Sequence, residues 1–359
     1  MRFAQWGVIL CLVAGLAACG GGGGGGGIPV GVAIAPTAPA TTPNTGSSEP
    51  PPSDQGPVTQ VDPSPSKPEF LFATIQGAQS ILSFQTQNPA PGTTPQAKVI
   101  SGIQGFLGEA LAYDAANDRL YASSGPDILV FDKASALSGA VPPTRTIQPT
   151  GTGIMFFSNV AFDKATDTLY LAGSAQYQDV LAIIGNASTA SGSVTPNHRY
   201  AVASGSRGFT IDTQRKLLYG LGSTIGVFVF DLTALQEMVG ANPTINQAVR
   251  VMAIPALNVM TGLSIDQARD RLYIAGTGKL GVIDSASTTS GNAANQSFNI
   301  PAHSATFDPS NDRLYVGAAN SAYIINNASA LKSGSTLPAT VVVGNNPQIN
   351  YFVGGFAFP

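Results

Sequence analysis

The chain has 359 residues, of which only 10% are charged, with 17 Lys and Arg set against 20 Asp and Glu. Nucleic-acid binding needs clustered basic side chains to displace counterions, and no basic run occurs anywhere in the chain. Gly (41) and Pro (26) are abundant, so the surface must be covered by small and uncharged polar residues.

Residues 1–18 read as a signal peptide: Arg2 supplies the positive end, and Val8 to Ala18 form an apolar stretch too short to span a bilayer. The stretch ends in Leu16-Ala17-Ala18-Cys19, which resembles the lipobox of bacterial lipoproteins. That resemblance implies cleavage before Cys19, lipidation of its thiol and attachment to a membrane through the lipid. Gly20 after the cysteine implies, by the same resemblance, an outer membrane, with the domain facing the periplasm or the cell surface. Cys11 leaves with the signal, so the mature chain has no cysteine pair to oxidise. Loss of Arg2 leaves 16 basic against 20 acidic residues, a net charge of −4 that selects no partner.

Residues 19–67 are rich in Gly, Pro, Ser and Thr, as in the unbroken glycines Gly20 to Gly27 and the run Glu49-Pro50-Pro51-Pro52-Ser53. Such a segment buries too little apolar surface to offset chain entropy and is expected to be a disordered tether.

From residue 68 to 359 one phrase recurs: Ala112-Tyr113-Asp114 with Tyr121, Ala161-Phe162-Asp163 with Tyr170, Thr210-Ile211-Asp212 with Tyr219, Ser264-Ile265-Asp266 with Tyr273, and Thr306-Phe307-Asp308 with Tyr315. The tyrosine always follows the aspartate by seven residues, across turn formers. A third apolar strand follows, then an Asp or Asn (Asp132, Asn186, Asp231, Asp284, Asn326) read as the cap of a short helical turn, then a fourth strand. Aspartate spacings of 49, 49, 54 and 42 residues describe four-stranded antiparallel propeller blades. Phe70-Leu71-Phe72-Ala73 matches a second strand without a first, and Gly355-Phe356-Ala357-Phe358 supplies it from the other end. The fold predicted is therefore all-β, a six-bladed β-propeller closed by its C-terminal strand.

The repeat resembles NHL-type and YVTN-type propellers, a group that includes enzymes, sensors and scaffolds, so the fold alone does not assign a function. The five repeated aspartates sit on different blades, too far apart to share a metal, and are read as acceptors for turn amides. The tyrosines are read as packing between blades with their hydroxyls at a wet edge. The pairs Asp118-Arg119, Asp270-Arg271 and Asp312-Arg313 are read as solvated turn residues.

The candidate site is the channel rim, five residues before each aspartate. The repeat there turns polar and differs in every blade: Glu109, Ser158, Arg207, Thr261 and His303, with Asn159 one step on. Six blades delivering one residue each to a common centre could hold a small polar ligand. Calcium-dependent lactonases share the six-bladed shape and hold their metal on acidic and amide side chains. Glu109 and Asn159 match that chemistry, whereas Arg207 opposes a cation. No Gly-x-Ser-x-Gly elbow is present. The expected function is a monomeric binding or scaffolding lipoprotein for a protein, peptide or glycan, with no metal, cofactor or catalytic residue assigned. A hydrolase or lactonase at the rim is the alternative.

Overall fold

The computed structural model describes residues 70–357, apart from 76–78, 86–97, 104–106, 176–177, 204–207, 223–225, 240–243, 258, 277, 294–295, 319–320, 333–336, 338 and 345–352. The chain divides into two units, Met1–Asp62 and Pro63–Pro359. The expected signal peptide, Cys19 and the tether lie outside the described residues.

Six sheets form the second unit. Blade 1 pairs Val353–Ala357 with Phe70–Ile75, which is followed by Ser80–Gln85 and Lys98–Ser101. The innermost strands of blades 2 to 6 are Leu107–Asp114, Ile154–Asp163, Phe209–Asp212, Met260–Asp266 and Ser304–Asp308. Each innermost strand touches the next, and that of blade 6 touches that of blade 1, so the ring is closed. Phe356 carries the closure, being buried with Leu71, Ala73 and Tyr315.

The second strand is deeply buried in most blades. Arg271–Gly276 is buried at every position, in keeping with a strand covered by neighbouring blades on both faces. Tyr121, Tyr219, Tyr273 and Tyr315 sit on these strands and are sealed from solvent. The expected wet edge for their hydroxyls is thus absent, and burial pushes Tyr219 and Tyr273 far above the ordinary phenol range.

Four blades depart from four strands. A short segment between the third and fourth strands of one blade pairs in parallel with the fourth strand of the blade before it. Gly139–Ala140 thus joins blade 1, Gly192–Val194 blade 2, Ile245–Asn246 blade 3 and Gly291–Asn292 blade 4. Three of these latches begin on a glycine at φ between +64° and +84° (Gly139, Gly192, Gly291), backbone that a side chain would strain.

The turn face is where each innermost strand ends on its aspartate. Asp114, Asp163 and Asp308 each accept from the main-chain N–H two residues on and from a side chain three residues on. Asp212 and Asp266 instead accept both from an arginine three residues on, Arg215 and Arg269. A second aspartate in the same turn reaches across its blade. Asp118, Asp167, Asp270 and Asp312 each accept from both the N–H and the hydroxyl of one serine: Ser135, Ser188, Ser287 and Ser329.

The predicted helical caps shift by a residue. Two 3-10 turns form, at Ala134–Ala136 and Ala328–Ala330, preceded by Lys133 and Asn327 in left-handed backbone without a side-chain cap. The cross-blade aspartates take over the role expected of Asp132 and Asn326. Only Asp231 caps as expected, accepting from the N–H and hydroxyl of Thr233.

Two of the arginines after these turns, Arg119 and Arg271, are not solvated. Arg119 pairs with Asp132 at 2.6 Å, and Asp132 also holds Arg145 at 3.2 Å. Arg145 then donates to carbonyls of Ser188 and Ala190 in blade 3. Arg271, only 9% exposed, pairs with Asp284 at 2.6 Å and donates to the Ser329 carbonyl in blade 6.

Candidate functional site

The innermost strands pair on one side only, with their own second strands. Their other edges face the ring's axis. They enclose a cavity of about 170 Å³ lined from all six blades, by residues that include Ala110, Ser158, Asn159, Thr210, Thr261, Ser304 and Phe356. None of the described residues lining it is charged.

Three of the predicted rim residues meet there: Ser158, Asn159 and Thr261. His303 immediately precedes the lining residue Ser304 and is half-buried, and burial pushes its pKa below the ordinary histidine value. Glu109 lies in the innermost strand of blade 2, but its side chain is outside the described residues, as is Arg207 altogether.

A backbone irregularity explains why the repeat changes character at this level. In blade 3, Phe157 opposes Gly173 and Asn159 opposes Ala172, which leaves Ser158 as an extra residue. In blade 5, Met260 opposes Gly276 and Gly262 opposes Ala275, which leaves Thr261 as the extra one. Both are β-bulges. Each extra residue donates its hydroxyl to a second-strand carbonyl: Ser158 to Ala172 at 3.2 Å, Thr261 to Ala275 at 3.4 Å. Blades 1 and 2 also shift register at this end. In blade 2 the serine comes from the opposite strand, and the Ala110 N–H donates to Ser123 Oγ at 3.2 Å.

Asn159 bridges blades, donating its amide to the Phe209 carbonyl in blade 4. Ser264 does the same one level down, accepting from the Phe307 N–H of blade 6 at 2.9 Å. Side chains at these levels therefore stitch exposed strand edges of one blade to the next.

Two further features escaped the rim prediction. Two residues before each repeated aspartate stand Thr210, Ser264 and Thr306 in blades 4 to 6, but Ala112 and Ala161 in blades 2 and 3, and Ala357 holds the matching place before Pro359. The three hydroxyl residues all line the cavity. The sequence alone carries this division. The second feature is the start of the blade 3 strand, which is ten residues long and carries Met155 and Phe156, 53% and 42% exposed. Val259, seven residues before Asp266 as Phe156 is before Asp163, is 36% exposed at the same end of blade 5. This end is called the mouth face below.

Among the described residues, no group of three or more His, Cys, Asp or Glu converges as a metal site would require. No known protein family and no curated protein sequence matches the chain. Among solved structures, the chain is similar to one in the crystal structure of the nidogen/laminin complex. The two share 16% identity at a TM-score of 0.52, covering 81% of this chain and 98% of that one. The WD40 β-propeller domain of Doa1 is similar at 12% identity and a TM-score of 0.46, covering 80% and 88%. At such identity the likeness concerns the fold, and the fold is an all-β propeller of six blades.

Proposed function

We propose that this chain is an exported, lipid-anchored binding protein that docks a partner protein on the mouth face of its propeller. The contrast between the two faces carries this reading. On the turn face every repeated aspartate is engaged by its own turn. On the mouth face Met155 and Phe156 stand out from the end of the longest strand beside an open cavity, with Val259 at the same height. Exposed Met and Phe on a rigid scaffold supply large contact area at a small ordering cost. The similar chain in the nidogen/laminin complex comes from a protein–protein assembly, in keeping with a propeller used as a docking platform. The lipobox-like Leu16 to Cys19 and the Gly/Pro tether supply the anchor and the reach in this reading.

The test is chemical cross-linking and capture from the native cell envelope, with the wild type run beside a Met155→Ser/Phe156→Ser variant. Bands present with the wild type and lost with the folded variant support the reading. An identical set of bands from both proteins overturns it.

A further inference from the structure

The cavity beneath the mouth has a chemistry of its own. Its walls are strand edges, whose main-chain N–H and C=O groups are neutral donors and acceptors. No described lining side chain is charged. The two sides of the ring differ. Blades 2 and 3 line it with Ala110 and Ala161, whereas blades 4 to 6 line it with the hydroxyl residues Thr210, Ser264 and Thr306. Ser264 is engaged as an acceptor by Phe307. The hydroxyls of Thr210 and Thr306, on either side of it, have no hydrogen-bond partner among the described residues, although both line the cavity and are half-buried.

Glycine lets the innermost strands approach closely beside the threonines. Gly208 and Gly262 both line the cavity. A β-carbon on Gly262 would lie 3.0 Å from the Ser304 Cα, and one on Gly208 would lie 3.2 Å from Leu221. Both glycines are thus fixed by packing, and their main chain forms part of the cavity wall beside Thr210 and Ser264.

These features select a ligand class. A charged group entering this space would lose its water without meeting an opposite charge on the described wall. A purely apolar group would leave Thr210 and Thr306 dry and unpaired. A compact ligand with hydroxyls on one side and C–H groups on the other satisfies both walls. We propose that the channel binds a small uncharged, hydroxyl-rich group, the terminal ring of a neutral saccharide, held by Thr210, Ser264 and Thr306 against Ala110 and Ala161. The proposal deepens the docking reading and rests on its assignment of the mouth as the binding face.

The experiment is isothermal titration of the full-length protein with methyl glucoside, methyl galactoside, methyl mannoside and N-acetylglucosamine, and with charged glucuronate and glucosamine beside them. At least one neutral sugar is expected to bind, more tightly than either charged one. Thr210→Val/Thr306→Val keeps the side-chain shape and removes both hydroxyls, so binding should weaken about tenfold or more. Ala161→Leu fills the channel from the opposite wall and should abolish binding, with near-UV circular dichroism reporting that the fold is retained. No heat with any neutral sugar, an undiminished affinity in the threonine variant, or tighter binding of a charged sugar each overturns the proposal. Envelope capture that depends on Met155 and Phe156 but occurs without sugar uptake overturns the channel proposal alone. Sugar uptake with capture indifferent to those residues overturns the docking proposal alone.

Discussion

Gly262 of blade 5 runs so close to Ser304 of blade 6 that a β-carbon on the glycine would stand 3.0 Å from the serine Cα and 3.2 Å from the Ala305 nitrogen. Both neighbours are backbone of an innermost strand, which cannot swing aside as a side chain tip can. Gly262→Val is expected to force these two blades apart and to destabilise the protein by about 1–3 kcal/mol. Urea unfolding measures this directly, and a midpoint equal to that of the wild type would contradict the contact.

Arg271 ties blade 5 to blade 6. Replacing it by Met keeps much of the side-chain volume but strips the Ser329 carbonyl of its donor and Asp284 of its partner. Asp284 is half exposed and rehydrates, so the loss falls mainly on the buried carbonyl. A destabilisation of about 1–3 kcal/mol is expected. Ser287→Ala, which removes one 2.6 Å bond to Asp270 within a single blade, should cost about 1 kcal/mol. Calorimetry on the two variants should rank them in that order.

Deletion of residues 353–359 removes the strand that pairs with Phe70–Ile75, together with buried Phe356. Loss of one buried Phe is worth about 3–5 kcal/mol, and the freed edge becomes available to other chains. The truncated protein should melt well below the parent and self-associate in sedimentation velocity. Parental melting in the monomeric form would show that the ring does not depend on this strand.

His303 gives the fold a pH dependence of known sign. Burial lowers its pKa from 6.5, so the unfolded chain takes up a proton at this residue before the folded chain does. Above about pH 6.5 the imidazole is neutral in both states and contributes no slope. As pH falls below that value the unfolded state gains, until the folded imidazole protonates too. The denaturant midpoint should therefore drop between pH 7 and pH 5 more steeply for the wild type than for His303→Gln. Parallel curves would remove His303 from the account.

Cys19→Ser tests the anchor. Released or unprocessed protein in cell fractionation is the expected result. Intact, unmodified Cys19 in the mature protein by mass spectrometry would refute lipidation.

The blades and their closure were readable in the chain because each rests on local, repeated chemistry: an aspartate that folds its own turn, and a tyrosine seven residues on. The match of Gly355 to Phe358 with Gly208 to Ile211 was enough to place the missing strand. The bulges were not readable, because nothing in Phe157-Ser158-Asn159 marks one residue as lacking a partner across the ladder. The polar, variable character of the rim was visible, but its cause at Ser158 and Thr261 is a hydroxyl turned back onto its own blade. The latches were hidden for a different reason. Two or three residues pairing in parallel with a strand some forty residues earlier carry no period of their own, although the doublets Ser138-Gly139, Ser191-Gly192 and Ser290-Gly291 recur where they begin. Arg271 looked solvated because its neighbour in sequence is Asp270, whereas its partner in space is Asp284.

The latches also impose an order of assembly. Each of these four blades receives its last strand from the blade made after it, and blade 1 receives its innermost strand only from residues 353–357. No blade among these is complete when its own residues have emerged, and the ring stays open until residues 353–357 are present. Contacts spanning that much chain form slowly. A chain threaded through a narrow pore from its N-terminus would therefore stay unclosed until residues 353–357 had cleared the far side.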